Sequence, residues 1–164
     1  MAADARHLHT IFSWRIGNKL NAFTLTLVEY GIEYINARRT IASGATEYHL
    51  YLVGHLELNK DFGISLIRPE SIKDKVLEMF LPVEIDFAEA PEFSSKYYVL
   101  SNDKEKFINS VSPTLMRYLL DVEGLEIEFR NRECLFRFEG VIDEEKSLLL
   151  CEVGLNLDRI LNHS

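Results

Sequence analysis

The sequence reads as an α+β protein, with an antiparallel sheet formed by an N-terminal meander plus later strands and three or four helices packed on one face. Apolar and polar residues alternate through residues 10–58, the repeat lengthens toward 3.6 residues after Pro69, and a hairpin signature around Asn131 precedes an amphipathic C-terminal stretch.

In the first half, Phe23, Leu25 and Leu27, with Glu29 continuing the series, fall on one face, and Thr24, Thr26, Val28 and Tyr30 fall on the other. Tyr48, Leu50 and Leu52 alternate in the same way with His49, Tyr51 and Val53, which predicts a strand with a core face and a partly covered face. Turn signals at Gly17-Asn18, over residues 37–46 and at Asn59-Lys60-Asp61 separate the strands into a meander.

The second half changes period. Ser71 can cap a helix whose Ile72, Val76, Met79 and Phe80 share one face, and Pro82 ends it. Residues 83–87 alternate as a strand, Ala90-Pro91-Glu92 reads as a turn, and residues 97–100 give another strand. Asn102 with Glu105 matches a capping box, and Phe107, Ile108 and Val111 supply the buried face of the helix it opens. Ser112-Pro113 restarts helix geometry, giving two short helices in tandem or one kinked helix that ends near Gly124. Residues 125–129 and 134–138 alternate around Arg130-Asn131-Arg132-Glu133 as a hairpin.

From Asp143 a helix carries Leu149, Leu150, Val153, Leu157, Ile160 and Leu161 at helical spacing. Gly154 in its middle costs about 1 kcal/mol against alanine unless a close contact needs the missing side chain. Residues 1–5 and 162–164 read as frayed ends. One α+β domain over residues 1–164 is expected, with a subdomain joint near residues 59–61 as the alternative.

The chain has 164 residues, 47% of them hydrophobic, enough for a core that needs neither disulfide nor metal. Two cysteines without CxxC spacing point to free thiols in a reducing, cytoplasmic setting. Apolar runs such as 23–28 and 147–153 are broken by charge or glycine far short of a membrane span, so no transmembrane segment is expected. A net charge of -8 repels phosphate backbones, which argues against nucleic acid as a partner.

Residues 62–70, then Glu84-Ile85-Asp86-Phe87, then Pro91-Glu92-Phe93-Ser94 followed by Tyr97 and Leu100, resemble an uncharacterised family of bacterial soluble or membrane-associated α+β proteins. The PEFS segment before an aromatic strand is the most specific part, and the likeness spans roughly the middle two-thirds of the chain. It implies a bacterial domain of unknown role, with membrane association in relatives. This chain departs from it in lacking an apolar anchor ahead of His7, as expected of a soluble member or an excised piece. The resemblance transfers no catalytic residue.

Four constellations carry candidate chemistry. His7 and His9, two apart, would take two positions on a metal ion if His49 or His55 supplied a third, but a solvated tail explains them as simply. Glu84, Asp86 and Glu89, with Glu92 nearby, offer paired carboxylates for acid/base work, yet alternation with Val83, Ile85 and Phe87 reads as the wet side of a sheet. Cys134 and Cys151 stand at no helix start that would lower a thiol pKa; Arg130 and Arg132 near Cys134 offer the one source of activation, weighed against hairpin or core packing. Ser94-Ser95 lacks the glycines of a nucleophile elbow.

No catalytic residue, metal or cofactor is therefore expected. The surplus lies in aromatic strand residues, including Tyr30, Tyr34, Tyr48, Tyr51, Phe93, Tyr97 and Tyr98, where an apolar body with a polar tip suits an interface. At Tyr97-Tyr98 one ring must face away from the main core. The leading expectation is a non-catalytic protein-interaction or regulatory module that engages a protein partner or a second copy of itself. The alternatives are a small metal- or carboxylate-dependent hydrolase and a carrier of an apolar ligand.

Overall fold

A computed structural model describes residues 2–18, 22–35, 45–70, 83–140 and 143–163. The helix expected over residues 71–80 and most of the 37–46 segment lie outside that set. Three long strands open the chain, β1 (Ala2–Gly17), β2 (Ala22–Ile35) and β3 (Ala45–Glu57), followed by β4 (Ile64–Pro69) and the brief β5 (Val83–Glu84). Next come α1 (Pro91–Lys96), β6 (Tyr97–Ser101), α2 (Lys104–Ser110), α3 (Pro113–Leu120), β7 (Leu125–Arg130), β8 (Glu133–Phe138) and α4 (Glu144–Asn162).

The strands form one sheet in the order β1-β2-β3-β8-β7-β4-β6-β5, and neighbours in it pair antiparallel. The meander β1-β2-β3 thus joins the later strands through β8, by a ladder of four residue pairs from Gly54↔Phe136 to Glu57↔Glu133. This is the expected α+β architecture.

Register explains why one face is core. Trp14, Leu25, Gly54, Phe136, Ile127, Ile67 and Val99 are successive cross-strand partners over seven strands. From Leu25 to Val99, every apolar side chain in that row is buried beneath the helices. Helix α4 packs against β1, β2, β3 and β8, burying Leu150, Val153, Leu157 and Leu161 along one stripe. Phe62 stacks on Phe129 at 4.5 Å between centroids, with Phe107 edge-on to both. Each such ring contributes about 1.5–3 kcal/mol by leaving water.

Two glycines make room for two rings. The Phe136 ring lies over the Gly54 backbone, and the Phe23 ring lies against Gly154 so closely that a Cβ there would sit 2.5 Å from two of its carbons. The rings touch each other at 5.5 Å between centroids. Gly154 therefore has the packing reason that its place in a helix demanded.

Capping follows the sequence with local slips. Ser112 accepts from the Leu115 amide at 3.2 Å with Pro113 behind it, and Asp143 accepts from the Lys146 amide at 2.7 Å. The cap of α2 is Asp103, accepting from Lys106 at 3.0 Å, one residue beyond the expected Asn102. Asn102 instead accepts from the Ile64 amide at 2.9 Å, tying α2 to β4. The expected turn at Ala90-Pro91-Glu92 is the first turn of α1, since Pro91 stands where a missing N–H costs nothing. Ile108 and Leu149, expected inside, are exposed.

Residues 2, 3 and 162, expected to fray, take part in regular structure. Ala2 and Ala3 pair with Ile35 and Tyr34, and Asn162 is the last residue of α4. Its side chain accepts from the Asn59 amide at 2.9 Å and donates to Glu57 O at 2.9 Å and to Asp158 Oδ1 at 2.7 Å. Buried Asp158 accepts from the Ala22 amide at 3.1 Å, so the C-terminal turn of α4 fastens the near ends of β2 and β3. The Asn59–Asp61 turn is held too: the Gly63 amide, and then Lys106, keep the Asp61 carboxyl below its ordinary range.

Candidate functional site

The described helices pack on one face of the sheet, and the opposite face of β2, β3, β8, β7 and β4 forms a concave groove of about 810 Å³. Its axis is set by register: Thr24, His55, Leu135, Glu128 and Leu66 are successive cross-strand partners from β2 to β4, and the next partner, Leu100 of β6, is buried beyond the groove. Period-two alternation puts this row opposite the core row, one residue out of step with it. Thr26 and Val28 of β2, Tyr51 and Val53 of β3, Glu126 of β7, Arg137 of β8 and Arg68 of β4 complete the lining.

The floor is aliphatic. Val28, Val53, Leu66 and Leu135 are all half-buried, so each offers apolar area to an occupant. Both acids of the lining are matched: Glu126 pairs with Arg137, directly opposite it in the β7-β8 ladder, whose guanidinium lies 5.4 Å from the Tyr51 ring centroid. Glu128 pairs with Arg130 at 2.8 Å toward the hairpin end. These contacts fix the groove walls while leaving the aliphatic floor open.

The residues singled out from sequence are dispersed. His49 and His55 lie six positions apart on β3, about 20 Å at the usual strand rise, so they do not converge. His7 and His9 are on β1, and their side chains, like that of Glu84, lie outside the described residues. Asp86 and Glu89 are exposed on the segment that leads from β5 into α1, Glu92 is exposed in the first turn of α1, and none of them lines the groove. Asp86 lies outside the ladder, because β5 ends at Glu84. Among the described residues, no three His, Cys, Asp or Glu side chains are grouped as a metal ion would require.

The nucleophile candidates have structural work. Cys134 is fully buried in the core, which pushes its thiol well above the ordinary value, and partial burial raises Cys151 as well. Ser94 Oγ accepts from the Phe87 amide at 2.8 Å, and Ser95 Oγ donates to Glu92 O at 2.9 Å. Tyr97 points into the core, its hydroxyl 2.8 Å from Leu119 O and 2.6 Å from Val122 O. Burial, and then the charge of Glu123, push that phenol up to about 12. Tyr98 takes the other face, opposite Arg68, as the adjacent tyrosines required.

Of the groove residues, sequence reasoning singles out Tyr51 and His55 but not Arg68, Glu126, Glu128 or Arg137. The available signal was alternation in β7 and β8, where Glu126 and Glu128 interleave with Leu125, Ile127 and Phe129. Which face the helices leave open depends on long-range packing.

Among the described residues, no helix is long and apolar enough to cross a membrane. The chain matches no family model, no curated protein and no solved structure.

Proposed function

We propose that this chain is a non-catalytic protein-interaction module of the bacterial cytoplasm, which holds an extended segment of a partner protein across the open sheet face. The observation that carries this reading is the groove: aliphatic floor, mutually paired charges at the walls and a length running over several strands. Apolar side chains of the partner would lie over Val53, Leu66 and Leu135, while Thr24, Thr26 and His55 offer hydrogen bonds at one end.

The test compares capture from a bacterial lysate by the full chain and by Leu135→Glu, followed by amide-shift mapping with the captured partner. The expected result is loss of the partner from the variant and shifts confined to β2, β3, β8, β7 and β4. A partner retained by Leu135→Glu, or shifts elsewhere, would remove the groove from the mechanism. A second reading, carriage of a small apolar ligand, draws support from the groove volume of about 810 Å³, which is within the range of small-molecule sites. Native mass spectrometry separates the two, because a carrier retains a small adduct that Leu135→Glu sheds.

A further inference from the structure

The two edges of the sheet differ. β5 ends one side with two residues, Val83–Glu84, whereas β1 ends the other with sixteen, Ala2–Gly17. A long edge strand presents backbone N–H and C=O groups to any strand that can align with them, and proteins ordinarily guard it with lysine, proline or a bulge. β1 contains neither lysine nor proline. Its register shifts fall between Ala3 and Ala5 and between Thr10 and Phe12, leaving Phe12 to Gly17 in unbroken register with β2.

That regular stretch is also where large apolar side chains meet water. Phe12 is 59% and Trp14 46% exposed, and their rings stack at 5.7 Å between centroids. Both lie on the core side of the sheet, in line with Leu27 and Leu25, but toward its outer margin. Charge permits a second copy as the occupant. The chain carries 26 acidic residues and a net charge of -8, yet Asp4 is the only acid in β1, and Arg15 is the only charged residue between Thr10 and Gly17. This edge is thus a surface on which two copies can meet without setting carboxylate against carboxylate.

We infer that β1 is a self-association edge, pairing antiparallel with β1 of a second copy about a two-fold axis through Trp14 and normal to the sheet. That register places Trp14 against Trp14, Phe12 against Ile16 and Ser13 against Arg15, all within the unbroken stretch. Residues opposite each other then share a face, so the aromatic surface of each copy covers that of the other. The pairing extends the eight-stranded sheet into one running through both copies. It uses the edge of the sheet and is independent of the groove.

Trp14 is the only tryptophan in the chain, so its fluorescence reports the interface directly. The experiment measures mass by light scattering and Trp emission for the full chain over a concentration series from about 1 to 200 µM, a range suited to micromolar dimers. The expected result is a dimer whose formation coincides with a blue shift of emission. Phe12→Lys should raise the dimer dissociation constant at least tenfold with unchanged circular dichroism, whereas Leu148→Lys, at an exposed position on α4, should leave it unaltered. A monomer across the whole series overturns the inference, as does a dimer indifferent to Phe12→Lys or one formed without a change in Trp14 emission.

Discussion

Replacing Gly154 by alanine sets two opposing effects against each other, and the structure decides which wins. In an unobstructed helix interior the change stabilises by about 1 kcal/mol. Here the new Cβ would lie 2.5 Å from Cε1 and Cζ of Phe23, against a comfortable carbon–carbon separation of about 3.5–4.0 Å. The Phe23 ring must retreat by about 1 Å, but it is buried and rests on Phe136, which itself lies over Gly54. Overpacking of this kind costs about 1–3 kcal/mol. The net expectation is a loss of about 1 kcal/mol, or a melting temperature lower by about 2–4 °C for a chain of this size. Urea denaturation of the parent, Gly154→Ala, Phe23→Leu and the double variant tests it. In the Phe23→Leu background the obstructing ring is gone, so Gly154→Ala should become neutral or stabilising. A Gly154→Ala protein as stable as its parent, or an additive cycle, would refute the argument that the glycine exists for the ring.

Four further outcomes follow from described contacts. Tyr97→Phe leaves Leu119 O and Val122 O without their donor in the core and should cost about 1–3 kcal/mol by denaturant titration. Because the folded phenol is raised to about 12 from an ordinary value near 10, its stabilising share is complete below pH 10 and lost as pH rises toward 12; Tyr97→Phe should flatten that part of the stability profile, and an unchanged slope would contradict the assignment. Thiol labelling of the native protein should modify half-buried Cys151 well before Cys134, which should react only at the rate of unfolding; equal rates would mean Cys134 is not shut in the core. Asp158→Ala removes the acceptor for the Ala22 amide and for Asn162, and should cost about 1–3 kcal/mol while speeding hydrogen exchange at Ala22 and Asn59 ahead of the β7-β8 hairpin.

Local chemistry made part of this fold legible, and long-range pairing decided the rest. Ser112-Pro113 and Asp143 start helices where they were expected, because a cap and the first helical turn are settled by residues three apart. Asn131 turns the β7-β8 hairpin with φ 58, a conformation that asparagine tolerates. Asn102 misled because it and Asp103 are both good caps, and the competing Ile64 amide belongs to a strand 38 positions away. Ala90-Pro91-Glu92 misled because proline opens turns and helices alike; the burial of Phe93 separates the two. Residues 2–5 looked like a tail since nothing local holds them, and their partners are at the far end of β2. The groove was the least visible, because half-buried residues such as Val53 and Leu135 carry the same alternation whether or not a layer covers them.

The junction of the meander with the later strands bears on how the molecule resists deformation. A seam of four residue pairs between β3 and β8 is a narrow waist for strands as long as β2 and β3. Helix α4 crosses that waist like a splint, gripping β1, β2 and β3 on one side and β8 on the other. Torsion of the platform is therefore opposed jointly by the ladder and by the nineteen helical residues that cover it.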